Sequence, residues 1–188
     1  MNMKLKKINA ALGLLSILCM LLHVAYSVFA YLTMYYNPTL KWVFAVPFIV
    51  LVCLHAICGM MTVFSQKDGS SLELYPKQNV RTILQRASAA LIFPLLILHL
   101  YTFNLMKASA EKGMTVFIIL LMLAELLFFG VVITHIAVSF SNGFITLGLL
   151  SSEKKRKVID RIMYIVGALA FVISAYAVIK GQATMFLH

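Results

Sequence analysis

Five long apolar runs, separated by short polar links, leave this chain one class of fold. They cover about Ile8–Leu32, Trp42–Phe64, Ile83–Met106, Met114–Phe140 and Ile162–Ile179, and a helix needs roughly 20 apolar residues to cross the hydrocarbon of a bilayer. With 188 residues, 62% of them hydrophobic and 12% charged, and a mean hydropathy of +0.96, the chain carries more apolar surface than a soluble core of this size hides. The expectation is an all-α integral membrane protein: one five-transmembrane-helix bundle, a single membrane domain over 1–188, with no long linker, low-complexity segment or internal repeat. The basic start before the first run imitates a signal peptide. The run is too long for one and lacks a small-residue cleavage site, so it reads as an uncleaved first span.

Charge predicts the orientation. Lysine and arginine number 16 against 6 acidic residues, a formal net charge of +10. Lys4, Lys6 and Lys7 precede the first span, Lys67, Lys77, Arg81 and Arg86 fall between or just inside the second and third, and Lys154, Lys155, Arg156, Lys157 and Arg161 lie between the fourth and fifth. Only Lys41, Lys107, Lys112 and Lys180 belong to the other side. The positive-inside rule then puts the N-terminus in the cytoplasm and the C-terminus outside the inner (cytoplasmic) membrane. Anionic lipid headgroups account for such a cationic face; an acidic docking partner is the alternative, and nothing in the pattern calls for nucleic acid. Cys19, Cys53 and Cys58 sit inside spans, where a free thiol is usually a small buried hydrophobe, and their spacing matches no zinc or disulfide motif.

The residues that carry chemistry are four histidines, one in each of the first four spans: His23, His55, His99 and His135. An ionisable group in hydrocarbon marks a functional site, and neutral imidazole is a common protein ligand of haem iron. At 1.5 Å of rise per residue, His23 and His99 lie about 15 residues from the cytoplasmic end of outward-running helices, roughly 23 Å deep. His55 and His135, on inward-running helices, lie roughly 8 to 14 Å from that end. Depth therefore pairs His23 with His99 for an outer haem and His55 with His135 for an inner one, about 12 Å apart, an electron path across the membrane. A lone intramembrane histidine has a plainer reading as an interhelical hydrogen bond; four in two matched layers favour haem. Cys19 and Ser27 around His23, and Gly59 after His55, leave room for a flat macrocycle, although small residues also occur wherever membrane helices pack closely. His188 is assigned no role.

Around these histidines the sequence resembles a known family. Gln85-Arg86-Ala87-Ser88-Ala89, with His99 thirteen residues after the arginine, is similar to the Gln-Arg-x-Thr/Ser-Gly…His-x-Trp stretch of the di-haem cytochrome b membrane anchor of succinate:menaquinone oxidoreductases and fumarate reductases. His55-Ala56-Ile57-Cys58-Gly59 resembles its His-Ala-x-x-Gly, Leu12-Gly13 its first span, and Phe140-Ser141-Asn142-Gly143, with the Gly148-to-Glu153 turn and basic run behind it, the segment after its fourth ligand. The resemblance covers most of the chain in order. It departs at two places. Ser139 stands where the family has its fourth histidine, with His135 one turn earlier, and the link from Met34 to Lys41 is shorter than in the family.

The resemblance implies an anchor with no dicarboxylate chemistry of its own. Such a subunit holds a flavoprotein and an iron–sulfur subunit on the cytoplasmic face and passes electrons between their clusters and a membrane quinone, here menaquinone. It implies two haem b groups, His23 and His99 holding the outer, His55 and His135 the inner, with Arg86, Ser88 and Gly59 in the haem surroundings. Arg86 is then a partner for a propionate, since guanidinium forms forked bonds to carboxylates; its alternative is a snorkelling interfacial arginine. Glu125, the one acidic residue deep in a span, is a candidate proton acceptor in quinol oxidation or a neutral hydrogen-bonded side chain between helices. Two other classes stay open. One is a haem-free structural anchor or assembly protein; the other is a small transporter subunit, which would favour broken helices and repeats, with Pro94 the candidate kink.

Overall fold

The computed structural model describes the backbone of residues 3–65 and 76–187, and of these the side chains of all but 63–65 and 76–79. Lys67, the side chain of Lys77, and His188 lie outside the described residues. Five helices follow one another: α1 (Met3–Thr33), α2 (Pro38–Ser65), α3 (Pro76–Ala110), α4 (Thr115–Leu147) and α5 (Glu153–Phe186). All five contain a stretch long and apolar enough to span a bilayer. The chain is an all-α, multi-pass membrane protein. The helices, of 28 to 35 residues, outrun the apolar stretches, because polarity does not end a helix and the turn chemistry does. Neither Pro47 in α2 nor Pro94 in α3 interrupts its helix; in a bundle, neighbouring groups satisfy the carbonyl that proline leaves without a donor.

Each link is built by identifiable residues. Asn37 caps α2, its Oδ1 accepting from the amides of Thr39 and Leu40, and Pro38 takes the first helical position, where its missing N–H costs nothing. The Tyr26 hydroxyl donates to the Asn37 carbonyl and accepts from its amide, both at 2.8 Å, which ties the corner back onto α1. Gly113 and Gly148 adopt positive φ, 67° and 79°, after α3 and α4. At both ends the paired Schellman bonds form: Gly113 N to Ala110 O with Met114 N to Ser109 O, and Gly148 N to Ile145 O with Leu149 N to Phe144 O. Ser152 caps α5 through the Lys155 amide.

Sequential helices run antiparallel, so the start of α1, the end of α2, the start of α3 and the α4–α5 connection share one end of the bundle. That end carries most of the lysines and arginines and is the basic end below. α4 is the central helix, packed against α1, α3 and α5, while α2 leans on α1. Burial follows this order: α4 hides Ile118, Leu121, Met122, Glu125, Phe128, Ala137, Val138 and Ser141, whereas α1 hides only Ser16. Dozens of large apolar side chains on the outer faces, such as Leu18, Val50, Leu123 and Val172, are exposed, as expected where lipid tails are the solvent and association relies on close packing. Among the described residues α2 makes no comparable contact with α3 or α4, nor α1 with α3. The four histidines sit on the four helices that border this looser region.

Candidate functional site

At the basic half, the rings of His55 and His135 stand with centroids 6.4 Å apart and planes at 67°. Each ring is held from behind by a neighbouring helix. His55 Nδ1 is 3.0 Å from the Asn9 carbonyl of α1, and His135 Nδ1 is 3.1 Å from both the Gln85 carbonyl of α3 and the Ser88 hydroxyl. A carbonyl oxygen only accepts, so Nδ1 carries the proton in both rings and Nε2 keeps its lone pair. That is the tautomer of a metal-ligating histidine oriented by its other nitrogen. Neither Nε2 makes a hydrogen bond among the described residues. His55 reaches this position across Gly13: a Cβ there would come within 2.9 Å of Cε1 and 3.1 Å of Nδ1. Glycine is what lets the α2 ring pass over α1 toward α4. Ser139 is a different matter, its hydroxyl donating back to the His135 carbonyl one turn away.

The other half of the bundle holds His23 and His99. His23 stacks on Phe48 at 5.8 Å, and its Nδ1 is buried without a partner. His99 stacks on Phe128 at 5.0 Å, and its Nδ1 lies 2.7 Å from Glu125 Oε2, a carboxylate-to-imidazole contact that orients the ring much as the carbonyls do for the inner pair. Glu125 is only 4% exposed. Toward the end opposite the basic one, Gln182 follows Gly181 beneath the Tyr31 ring, and its Oε1 is buried without a partner. Tyr31 closes tightly over Gly181, leaving no space for a Cβ.

Below the inner pair, Arg81 gathers three helices. Nε donates to the Val138 carbonyl at 2.7 Å, Nη2 to Ser141 Oγ at 2.8 Å, and the two Nη groups to the Asp160 carboxylate at 2.7 and 3.0 Å. Asn142 donates to Gln85 Oε1 at 3.4 Å, so Ser141-Asn142 of α4 meets the Arg81-to-Gln85 turn of α3. The guanidinium brought inside is that of Arg81; Arg86 is exposed. Ser88 is buried and donates to the Leu84 carbonyl at 2.6 Å. Gly59 faces Asn9, whose Oδ1 is buried without a partner. Cys19, Cys53 and Cys58 are free thiols.

The structure brings His55 and His135 together, while Asn9, Gly13 as a clearance, Gln85 as an acceptor, Tyr31 and Gln182 carried no sequence signal of these roles. Arg81 and Asp160 did carry one: opposite charges near the same end of the third and fifth spans.

A bare metal ion held as a structural or catalytic centre takes three or more protein ligands, and no group of three His, Cys, Asp or Glu suited to that occurs among the described residues. Haem supplies four nitrogens itself and asks the protein for one or two axial ligands. Two imidazoles on opposite sides of one iron, each bonded at about 2 Å, have centroids roughly 6 Å apart, so the His55–His135 separation and tautomers fit that group. His23 keeps a buried nitrogen without a partner, and His99 is hydrogen-bonded to the Glu125 carboxyl group. Compared with protein-family models, curated proteins and solved structures, the chain has no match.

Proposed function

We propose that this chain is a cytochrome b-like membrane anchor that carries electrons between subunits at its basic end and a membrane quinone, through two bis-histidine haem b groups. The observation that carries the reading is the His55–His135 pair: two imidazoles with centroids 6.4 Å apart, on helices that do not pack on one another, each with Nδ1–H fixed by a backbone carbonyl and Nε2 left without a hydrogen bond. Bound haem would supply reversible one-electron chemistry. The protein's part would be to hold one haem through His55 and His135 and the other through His23 and His99, to orient rings through Asn9, Gln85 and Glu125, and to keep water out with apolar helix faces. Two sites stacked through the bilayer shorten the distance between its faces for an electron.

The partners follow from the resemblance and from charge. A flavoprotein and an iron–sulfur subunit, of succinate dehydrogenase or fumarate reductase type, dock on the cationic end, which lies in the cytoplasm of an inner membrane with the C-terminus outside. Menaquinone is the lipid-soluble partner, and Glu125 the candidate proton acceptor beside the outer site. The haem-free anchor has one observation in its favour, the His99–Glu125 contact, which satisfies both groups without a metal; it leaves the inner Nε2 atoms and His23 Nδ1 unused. Single alanine variants separate the two readings. His55→Ala and His135→Ala should each lose the same haem, and His23→Ala and His99→Ala the other, by haem content and redox titration of the purified full chain. Loss of haem without this two-by-two pattern, or retention of both haems in the His135 variant, refutes the assignment.

A further inference from the structure

The Arg81 cluster is more than the proposed electron path requires. Arg81 makes four hydrogen bonds, two of them to the Asp160 carboxylate, and the pair is mostly buried, with side-chain exposures of 16% and 15%. Arg156 is a more distant second cation on the same carboxylate, at 3.8 Å. As a clasp between α3, α4 and α5 the cluster needs hydrogen bonds but not charge, since a buried ion pair is commonly no more stabilising than neutral groups of the same shape. Its position relative to His135 gives the charge a use. Val138, whose carbonyl Arg81 holds, lies three residues after His135 on α4, and Gln85, whose carbonyl orients His135, lies four residues after Arg81 on α3. On both helices the guanidinium is therefore about one turn from the inner site.

We infer that Arg81 and Asp160 act as a compensated charge pair that sets the reduction potential of the inner haem, Arg81 raising it and Asp160 holding that effect in check. The inference rests on the haem reading above. A positive charge beside the iron favours the reduced, less positive state, and a negative charge opposes it. In a site of limited polarity the effect survives over such distances: one unit charge roughly 10 Å away at an effective dielectric constant of about 20 changes a one-electron equilibrium by about tenfold or more. Neither residue touches the iron ligands, so both are positioning residues.

The test is a redox titration of the purified full-length chain, haem-loaded, in wild type, Asp160→Asn, Arg81→Gln and the double variant. Asp160→Asn preserves the shape and leaves Arg81 uncompensated, so the inner component should become easier to reduce by about tenfold in its equilibrium constant; Arg81→Gln should shift it the opposite way. The double variant should return close to wild type, and the outer component should stay in place throughout. Shifts of the same sign in both single variants, no shift in either, or loss of the inner haem from all three variants would identify the cluster as a clasp alone and overturn the inference while leaving the haem reading intact. A wild-type chain without haem overturns both.

Discussion

Replacing Gly13 by alanine sets a methyl group 2.9 Å from Cε1 and 3.1 Å from Nδ1 of His55. Carbon atoms in relaxed contact stand about 3.5–4.0 Å apart, so the ring has to retreat by roughly 0.6 Å or more. The bond from Nδ1 to the Asn9 carbonyl is 3.0 Å long, and such bonds belong to a range ending near about 3.2 Å. The retreat therefore breaks it, a loss of about 1 kcal/mol. Overpacking adds about 1–3 kcal/mol, and exchanging glycine for alanine inside a helix returns at most about 1 kcal/mol. The net expectation is a destabilisation of about 1–3 kcal/mol. Gly130→Ala is the control, because its Cβ would meet the Phe171 ring at an ordinary 3.7 Å. Denaturant unfolding in a single detergent measures both variants, and absorbance reports the inner haem, which Gly13→Val should abolish. A Gly13→Ala protein as stable as wild type, with the inner component unchanged, would refute the idea that α1 pins the His55 ring.

Three further outcomes are expected. Glu125→Gln keeps the shape of the side chain but replaces the carboxyl oxygen 2.7 Å from His99 Nδ1 with an amide, a poorer acceptor for the ring N–H, so the outer component of a redox titration should move to higher potential while the inner one holds. Tyr26→Phe deletes the hydroxyl that both donates to and accepts from Asn37 and should lower thermal stability by about 1–2 kcal/mol, with haem content unchanged. A reporter fused after His188 should be active only outside the cell and one inserted near Ser70 only inside; the reverse pattern would exchange the names inner and outer for the two sites.

Hydropathy made the bundle legible because a bilayer demands long apolar helices and nothing else in 188 residues mimics five of them. Helix ends were less so: α3 begins seven residues before the apolar stretch at Ile83, and within that extension Arg81 meets α4 and α5, a tertiary cause invisible along the chain. The nearness of His55 and His135 was readable from depth, because rise per residue is fixed and antiparallel neighbours share a frame. What orients the rings was not. Asn9 acts through its carbonyl, which every residue has, and Gly13 acts through the side chain it lacks. That Arg81 rather than Arg86 reaches Val138 and Asp160 has a similar origin. Residues five apart on a helix point about 140° apart, so only one can face the bundle, and the sequence motif drew attention to the one that stays outside. Tyr31 and Gln182 meet only because Gly181 lets α1 and α5 close.

The most direct test of the account is the reduced-minus-oxidised visible spectrum of the full-length chain, purified from cells with ample haem, combined with its haem-to-protein ratio. Two bis-imidazole sites predict low-spin, b-type bands and about two haems per chain, resolving into two components on titration. A preparation that is folded and helical by circular dichroism but shows no Soret band would contradict the central claim.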